Sequence, residues 1–212
     1  AGLLATFAAQ ANDLFGVNGV RRYFLLVQNP AEARASGGIL GAYAEITVAE
    51  GKLNLTKVGR DTELNNLSGN RPRANVPGFE RQVQLQPTRY WQNFTSSPDF
   101  PTVAKVIEGE YEPIANKIDG VISVDPSALA ALLRISGPVR AEHWPAPLTA
   151  DNVVEILEHE QYVRFEKDFA LRELFMAEAT GAIWKHATSA SLELDKIDEL
   201  GKAVEGGHIF VH

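Results

Sequence analysis

Three apolar runs within residues 23–61 constrain the fold more than any other part of the sequence. The first run spans residues 23–27, the second lies within 39–48 and the third within 53–58. A continuous run such as the first is typical of a strand buried on both faces of a layered sheet. Glu50-Gly51, between the second and third runs, predicts a hairpin turn that makes those two strands antiparallel.

The same stretch places an arginine near a carboxylate at two predicted strand ends. Glu32 and Arg34 follow the first strand, Arg60 and Asp61 follow the third, and Ser36-Gly37-Gly38 forms a turn between them. Guanidinium groups bind phosphate or carboxylate in a bidentate geometry, so these ends are candidate anion sites. The structural alternative is that each arginine pairs with its neighbouring carboxylate or caps a loop.

The rest of the chain alternates between helical and strand patterns. Helical spacing of apolar residues covers 3–15, 101–114, 126–134 and 150–187, and a last helix starts at Ser189 or Ser191; strands are predicted at 118–124 and 208–211. The long helical region is predicted to contain two helices that meet around residues 158–166. This order favours a mixed sheet with helices on both faces, in one domain spanning residues 1–212.

Residues 61–99 show no clear periodicity, and we predict one long loop rich in arginine. Basic and aromatic residues are interleaved in this segment: Arg71, Arg73, Phe79, Arg81, Arg89, Tyr90, Trp91 and Phe94. Long irregular segments inside a compact domain are often functional, so an anion-binding surface is one interpretation. The other is a solvated excursion whose aromatic side chains pack on the core. Ser97 or Asp99 is predicted to cap the helix that follows.

Composition excludes several function classes. The formal net charge of −7 argues against a non-specific nucleic-acid binder, which needs a basic field to meet phosphates. The absence of cysteine excludes disulfides, thiol catalysis and thiolate metal sites. The five histidines form no HExxH pair, and no Walker A, GxGxxG or GxSxG motif is present.

Four blocks of the sequence resemble the bacterial domain of unknown function 4012 family. They are YFLLVQNPAEARASGGILGAYAEITVAEGKL, WQNFTSSPDFPTVAKV, IDGVISVDPSALAALLRISGPV and LTADNVVEIL, in this order. The resemblance extends from about Arg21 to Val211. It implies an extracytoplasmic domain that is anchored to the membrane through a segment outside this fragment, and it implies no particular activity.

The block order also resembles, more distantly, the LytR-CpsA-Psr family. Those phosphotransferases move glycopolymers from a polyprenyl-pyrophosphate carrier to peptidoglycan, so the resemblance implies a lipid-linked glycan or another anionic ligand as partner. It implies a three-layer α/β/α sandwich with the lipid tail in an apolar tunnel and arginines on the pyrophosphate. The matching positions are Arg34, Gly59-Arg60-Asp61, Asp168-Phe169 and Arg172.

The resemblance also implies roles for individual residues. Asp61 or Asp99 would serve as metal ligand or base, with Mg²⁺ as the implied cofactor, while Gly37-Gly38 stand where that family has a metal-binding aspartate. The phosphate-binding candidates are Arg34, Arg60, Arg89, Arg164 and Arg172. Two alternatives to a phosphotransferase stay open, a non-catalytic polymer- or lipid-binding module of the cell envelope and a protein-interaction domain. A lipid binder is expected to show an elongated apolar cavity ending at Arg34 and Arg60.

Overall fold

The structure, a computed structural model, describes residues 15–69, 76, 79, 90–189 and 197–212. The strands are β1 (Arg21–Asn29), β2 (Ile39–Ala49), β3 (Lys52–Arg60), β4 (Gly120–Val124) and β5 (Ile209–Val211). The described helices are α1 (Asp61–Ser68), α2 (Phe100–Tyr111), α3 (Pro126–Ser136), α4 (Val153–Glu155), α5 (Gln161–Arg164), α6 (Phe169–Ser189) and α7 (Ile197–Glu205). A 3₁₀ helix forms at Trp91–Ser96 and a π-helical turn at Ile156–Glu160.

The strands of the described residues form one mixed sheet with the order β3-β2-β1-β4-β5. Strand β1 lies at its centre, antiparallel to β2 and parallel to β4, and Leu25 pairs with both Ala44 and Ile122. The predicted hairpin between β2 and β3 is confirmed. Glu50 and Gly51 both have positive φ, 50° and 73°, as the two central residues of a type I′ turn require.

Helices cover both faces of the sheet, which confirms the α/β/α sandwich. Alternate residues of β1 point into different cores, because successive side chains of a strand face opposite sides. Phe24 and Leu26 pack with α1, α2 and the 3₁₀ helix, whereas Leu25 and Val27 pack with α3 and α6. All four of these side chains have 0% exposure, so the prediction of a strand buried on both faces is confirmed.

The prediction of one irregular loop over residues 61–99 is wrong at both ends. Helix α1 occupies the first eight positions and the 3₁₀ helix begins at Trp91. The Trp91 ring is buried against Phe24, and its Nε1–H donates a hydrogen bond to Ser68 Oγ at 2.8 Å. At this position the aromatic residue packs on the core, as the second interpretation proposed.

One helix boundary differs from the sequence prediction and another agrees with it. The break in the long helical region lies at residues 165–168, which overlaps the end of the junction predicted around residues 158–166. Ser189 ends α6 instead of starting the last helix, because its hydroxyl donates to the carbonyls of Lys185 and His186 within α6. The alternative start at Ser191, most of the predicted helix 3–15, and Arg71, Arg73, Arg81 and Arg89 lie outside the described residues.

Candidate functional site

A small polar pocket lies at the sheet edge where β1 and β3 end and β2 begins. Helix α1 starts directly after β3, so its first residue reaches this edge, and the first turns of α6 close the opposite wall. The pocket encloses about 50 Å³, room for a few water molecules or a small ion. The lining side chains that matter below are Asn29, Glu32, Asp61, Tyr162, Arg172 and Glu173.

Asp61 and Glu173 form a buried acid pair in the polar pocket. They are only 3% and 8% exposed, and Asp61 Oδ1 and Glu173 Oε1 have no hydrogen-bond partner. The Thr62 hydroxyl donates to the other Glu173 oxygen at 3.1 Å. Burial raises the pKa of Asp61, and the adjacent Glu173 carboxyl raises it further, to about 8. Two unpartnered buried oxygens are unusual in a folded protein and mark a place for a proton or a cation.

Arg172 brings a positive charge to the same pocket. Its guanidinium lies over the Tyr162 ring, 4.4 Å from the centroid, and over the Phe169 ring at 4.9 Å. One of its nitrogens is 3.6 Å from Glu32 Oε1, and the Tyr162 hydroxyl donates to the same carboxylate at 3.0 Å. Burial, together with the Glu32 charge, raises the pKa of Tyr162. The phenol therefore remains a neutral hydrogen-bond donor, and aromatic stacking fixes the guanidinium plane.

The π-helical turn positions Tyr162 through Asn29. Asn29 Nδ2 donates to the carbonyl of Leu157 and to the Tyr162 hydroxyl, both at 3.0 Å. The same Leu157 carbonyl accepts a second hydrogen bond from Gln161 Nε2. A π turn alters the backbone hydrogen-bond pattern by one residue and is common at functional sites. Here it joins the end of β1 to the wall of the polar pocket.

The structure places Asp61 and Arg172 together in this pocket, and it places Asp99 elsewhere. Asp99 is the N-cap of α2, where its carboxylate accepts from the Thr102 amide at 3.0 Å and from the Thr102 hydroxyl at 2.6 Å. These hydrogen bonds lower the pKa of Asp99. The capping prediction is thus confirmed, and the proposed catalytic role has no support from the position of this residue.

The other predicted arginines do not line the polar pocket. Arg60 Nε pairs with Glu63 at 3.1 Å, and Arg34 donates to the carbonyl of its neighbour Ala33 at 2.9 Å. Arg164 lies over the Trp144 ring, 5.4 Å from its centroid, and Arg89 lies outside the described residues. Arg34, Arg60 and Arg164 therefore do not converge on one site with Arg172, and their ligand-binding roles stay predictions.

Glu173 is the pocket residue that sequence reasoning missed. Its position on α6 carried a detectable signal, because Met176, Ala177 and Thr180 follow at helical spacing and are all buried. An acidic residue on an otherwise buried helix face is rare without a partner or a function. Tyr162 carried no comparable signal, since its orientation depends on the π turn.

A second cavity is apolar and encloses about 520 Å³. It lies between the sheet and helices α3, α6 and α7, and among its lining residues are Leu53, Ile122, Val124, Leu132, Trp184 and Ile209. Neither Arg34 nor Arg60 lines it, so this cavity does not have the arrangement expected from the sequence for an enzyme or lipid binder. Among the described residues, no helix combines the length and apolar character needed to cross a bilayer.

Comparison with known proteins gives a family model and a set of solved structures. The model described as "Protein of unknown function (DUF4012)" matches residues 18–162. TagV of B. subtilis has a TM-score of 0.50 and 13% identity, over 91% of this chain and 74% of that one. Protein gbs0355 of Streptococcus agalactiae has a TM-score of 0.51 and 12% identity, over 91% of this chain and 68% of that one. These neighbours include LytR-CpsA-Psr proteins. No curated protein matches the sequence.

Proposed function

This chain belongs to the DUF4012 family and has a LytR-CpsA-Psr-like fold, and we propose that it binds a polyprenyl-(pyro)phosphate-linked glycan outside the cytoplasm. The phosphate headgroup binds at the mouth of the polar pocket, and the hydrocarbon tail enters the apolar cavity. The observation that carries the proposal is the combination of Arg172 with the unpartnered acid pair Asp61–Glu173 in one pocket.

The acid pair fits the Mg²⁺ that the fold family implies. Mg²⁺ takes oxygen ligands, usually one or two carboxylates together with water and phosphate oxygens. Asp61 and Glu173 each offer one buried oxygen without a partner. A bound cation would neutralise the repulsion between the two carboxylates and would attract phosphate oxygens. Glu173 then supplies the second acid in place of the aspartate that is missing at Gly37-Gly38.

Arg172 supplies the contact to the ligand. A stacked guanidinium keeps its N–H groups in a fixed plane, which favours bidentate contact with a phosphate. The nearby Glu32 carboxylate holds Arg172 in place at 3.6 Å without a close ion pair, so a phosphate with more charge competes for it. Tyr162, a neutral donor, contacts the same Glu32 oxygen as Arg172 does.

Helix α6 lines both the polar pocket and the apolar cavity. Phe169, Arg172, Glu173 and Met176 of its first turns line the pocket, and Trp184, Ala187 and Thr188 of its last turns line the cavity. Met176 and Trp184 are eight residues apart, which corresponds to about 12 Å along a helix. A volume near 520 Å³ falls within the range of small-molecule sites, about 300–1,000 Å³. One elongated amphipathic ligand is therefore the simplest common occupant.

Calorimetric titration with two probes tests the proposal, in the presence of Mg²⁺. Farnesyl pyrophosphate reports on headgroup and tail, and inorganic pyrophosphate reports on the headgroup alone. Arg172→Gln is expected to weaken both probes by roughly tenfold or more, the cost of a lost charge-assisted hydrogen bond. Leu132→Trp, which fills the apolar cavity, is expected to weaken only the prenyl probe. Arg34→Gln is the matched control and is expected to change neither.

Unchanged binding of both probes in Arg172→Gln would refute the headgroup assignment. Equal weakening of probe binding by Arg34→Gln would instead favour the set of phosphate-binding arginines predicted from the sequence. If Leu132→Trp binds farnesyl pyrophosphate as tightly as the native chain does, the tail does not use the apolar cavity.

The same pocket also supports transfer of the glycan. An acceptor hydroxyl would attack the glycan-side phosphorus, its proton would pass to the Asp61–Glu173 pair, and prenyl monophosphate would leave. Release of prenyl monophosphate from a lipid-linked glycan measures this reaction. Asp61→Asn is expected to stop the release and, because it removes one proposed Mg²⁺ ligand, to weaken farnesyl pyrophosphate binding in the presence of Mg²⁺ without abolishing it. If the native chain binds the lipid-linked glycan and releases nothing in the presence of a cell-wall acceptor, its function is binding alone.

A further inference from the structure

A third groove lies on the other side of α6, against β3. It encloses about 450 Å³ and opens to solvent, and among its lining residues are Gly59, Arg60, Arg140, Glu142, Glu178 and Gly181. The polar pocket and the apolar cavity share none of these residues. The proposed function uses neither the groove nor the histidine beside it.

Glu142, His143 and Glu178 bring three metal-ligand atoms together at this groove. One carboxylate oxygen of each glutamate and one ring nitrogen of His143 all lie within 4.8 Å of one another. His143 Nδ1 is 2.7 Å from Glu178 Oε1, and the His143 backbone N–H donates to Glu178 Oε2 at 3.3 Å. His143 and Glu178 are half-buried, whereas Glu142 is exposed. The set therefore combines two partly buried ligands with one exposed ligand.

The loop that carries Glu142 and His143 is held in place from two sides. Val139 and Leu148 exchange two backbone hydrogen bonds, at 3.0 and 2.8 Å, which close the loop at its base. Trp144, next to His143, stacks on Phe175 of α6 with 5.0 Å between ring centroids. Glu178 lies on the same helix, almost one turn after Phe175. Binding therefore requires little ordering of the backbone.

We propose that Glu142, His143 and Glu178 bind a divalent transition-metal ion of the Zn²⁺ class. Two carboxylates supply negative charge, and an imidazole nitrogen favours Zn²⁺, Co²⁺ or Ni²⁺ over Mg²⁺, which prefers oxygen ligands alone. Ligand atoms around tetrahedral Zn²⁺ lie roughly 3.3 Å apart. Side-chain rotations that move the ligand atoms by about 1 Å therefore complete the site. The groove leaves the fourth position open to water or to a ligand.

Titration with Co²⁺ tests the site, because bound Co²⁺ has visible absorption bands that report on its ligands. In excess Mg²⁺, which occupies the proposed site at Asp61 and Glu173, the native chain is expected to bind one equivalent of Co²⁺ and to release it to Zn²⁺. His143→Gln and Glu178→Gln are each expected to lose at least tenfold in Co²⁺ affinity. His208→Gln is the matched control: His208 Nδ1 also lies 2.7 Å from a carboxylate, that of Asp125, but this pair belongs to no three-ligand set among the described residues.

Circular dichroism and the melting temperature of each variant separate lost binding from lost folding. Folded His143→Gln that binds Co²⁺ as tightly as the native chain would overturn the proposal. An equal loss of affinity in His208→Gln would also overturn it, since the ion would then bind histidine–carboxylate pairs without selectivity. Pyrophosphate binding in the presence of Mg²⁺ is expected to be unchanged in His143→Gln, so this test and that of the proposed function fail independently.

Discussion

Asp61 at the start of α1 and Glu173 in α6 lie side by side in one pocket, and each keeps a buried oxygen without a partner. Two carboxylates in a buried site cannot both ionise cheaply, because each charge disfavours the other. In the absence of a cation, the pair therefore retains a proton at a pH where exposed carboxyl groups have lost theirs. The acid pair therefore lowers the stability of the fold, and it provides a charged site.

Asp61→Asn is expected to stabilise the metal-free chain near pH 8 and to have little effect near pH 4. The pKa of Asp61 is raised from 3.8 to about 8, so the folded state holds more protons than the unfolded state between these values. Stability therefore falls as pH rises through this window, and the asparagine removes most of that fall. We expect a gain of about 2 kcal/mol at the upper end of the window. Urea unfolding in EDTA at both pH values measures it.

If Asp61→Asn unfolds as the native chain does at both pH values, the pKa of Asp61 is not raised in the folded state. Glu173→Gln provides the reciprocal variant and is expected to remove the same pH dependence. Added Mg²⁺ is expected to raise the melting temperature of the native chain near pH 8 but not that of either variant, because a cation that binds only the folded state stabilises it.

Asp99→Ala is expected to destabilise α2 without affecting pyrophosphate binding. The carboxylate caps the helix through the Thr102 amide and lies outside the polar pocket. Asp99→Ser keeps a capping oxygen and is expected to restore most of the melting temperature lost in the alanine variant. A loss of pyrophosphate affinity in the serine variant would show that Asp99 takes part in pyrophosphate binding.

Buried Glu45 is expected to make the fold acid-sensitive. Burial alone would raise its pKa, but hydrogen bonds from Asn116, Tyr111 and Arg22 hold that pKa below the usual value. A lowered pKa in the folded state gives stability that is present above the ordinary glutamate pKa and is lost as pH falls through the folded value. Tyr111→Phe removes one of these hydrogen bonds at a buried site and is expected to cost about 1–2 kcal/mol at neutral pH.

Urea unfolding between neutral and strongly acidic pH checks this prediction. Glu45→Gln serves as the control: it is expected to be less stable at neutral pH and to lose less stability on acidification. An identical pH dependence of unfolding in the glutamine variant would assign the acid sensitivity to other carboxyl groups.

The sequence predicted the sheet well because its signals were local. The apolar run of β1, the Glu50-Gly51 turn and the Asp99 cap each depend on residues within a few positions of one another. The site was harder to predict, because Asp61 and Glu173 are far apart in sequence and meet only through the packing of α6 on the sheet. Which arginine reaches the pocket was equally hard to predict: Arg60, at a strand end, pairs locally with Glu63, whereas Arg172, on helix α6, lines the pocket.

A side chain at Gly38 would collide with the backbone at the end of β1, and this provides the last prediction. A Cβ atom at Gly38 would lie 2.4 Å from the carbonyl carbon and oxygen of Asn29 and 2.6 Å from the Pro30 nitrogen. These are backbone atoms, so they cannot rotate away. Gly38→Ala is therefore expected to destabilise the fold by about 1–3 kcal/mol and to displace Asn29, which holds Tyr162.

The displacement of Asn29 is expected to weaken pyrophosphate binding as well, even in the folded fraction. Gly201→Ala is the matched control, since a Cβ atom there meets nothing within 4 Å and alanine favours the α7 helix. That variant is expected to be slightly more stable than the native chain and to bind pyrophosphate normally. Normal stability of Gly38→Ala would show that the turn after β1 has room for a side chain at this position.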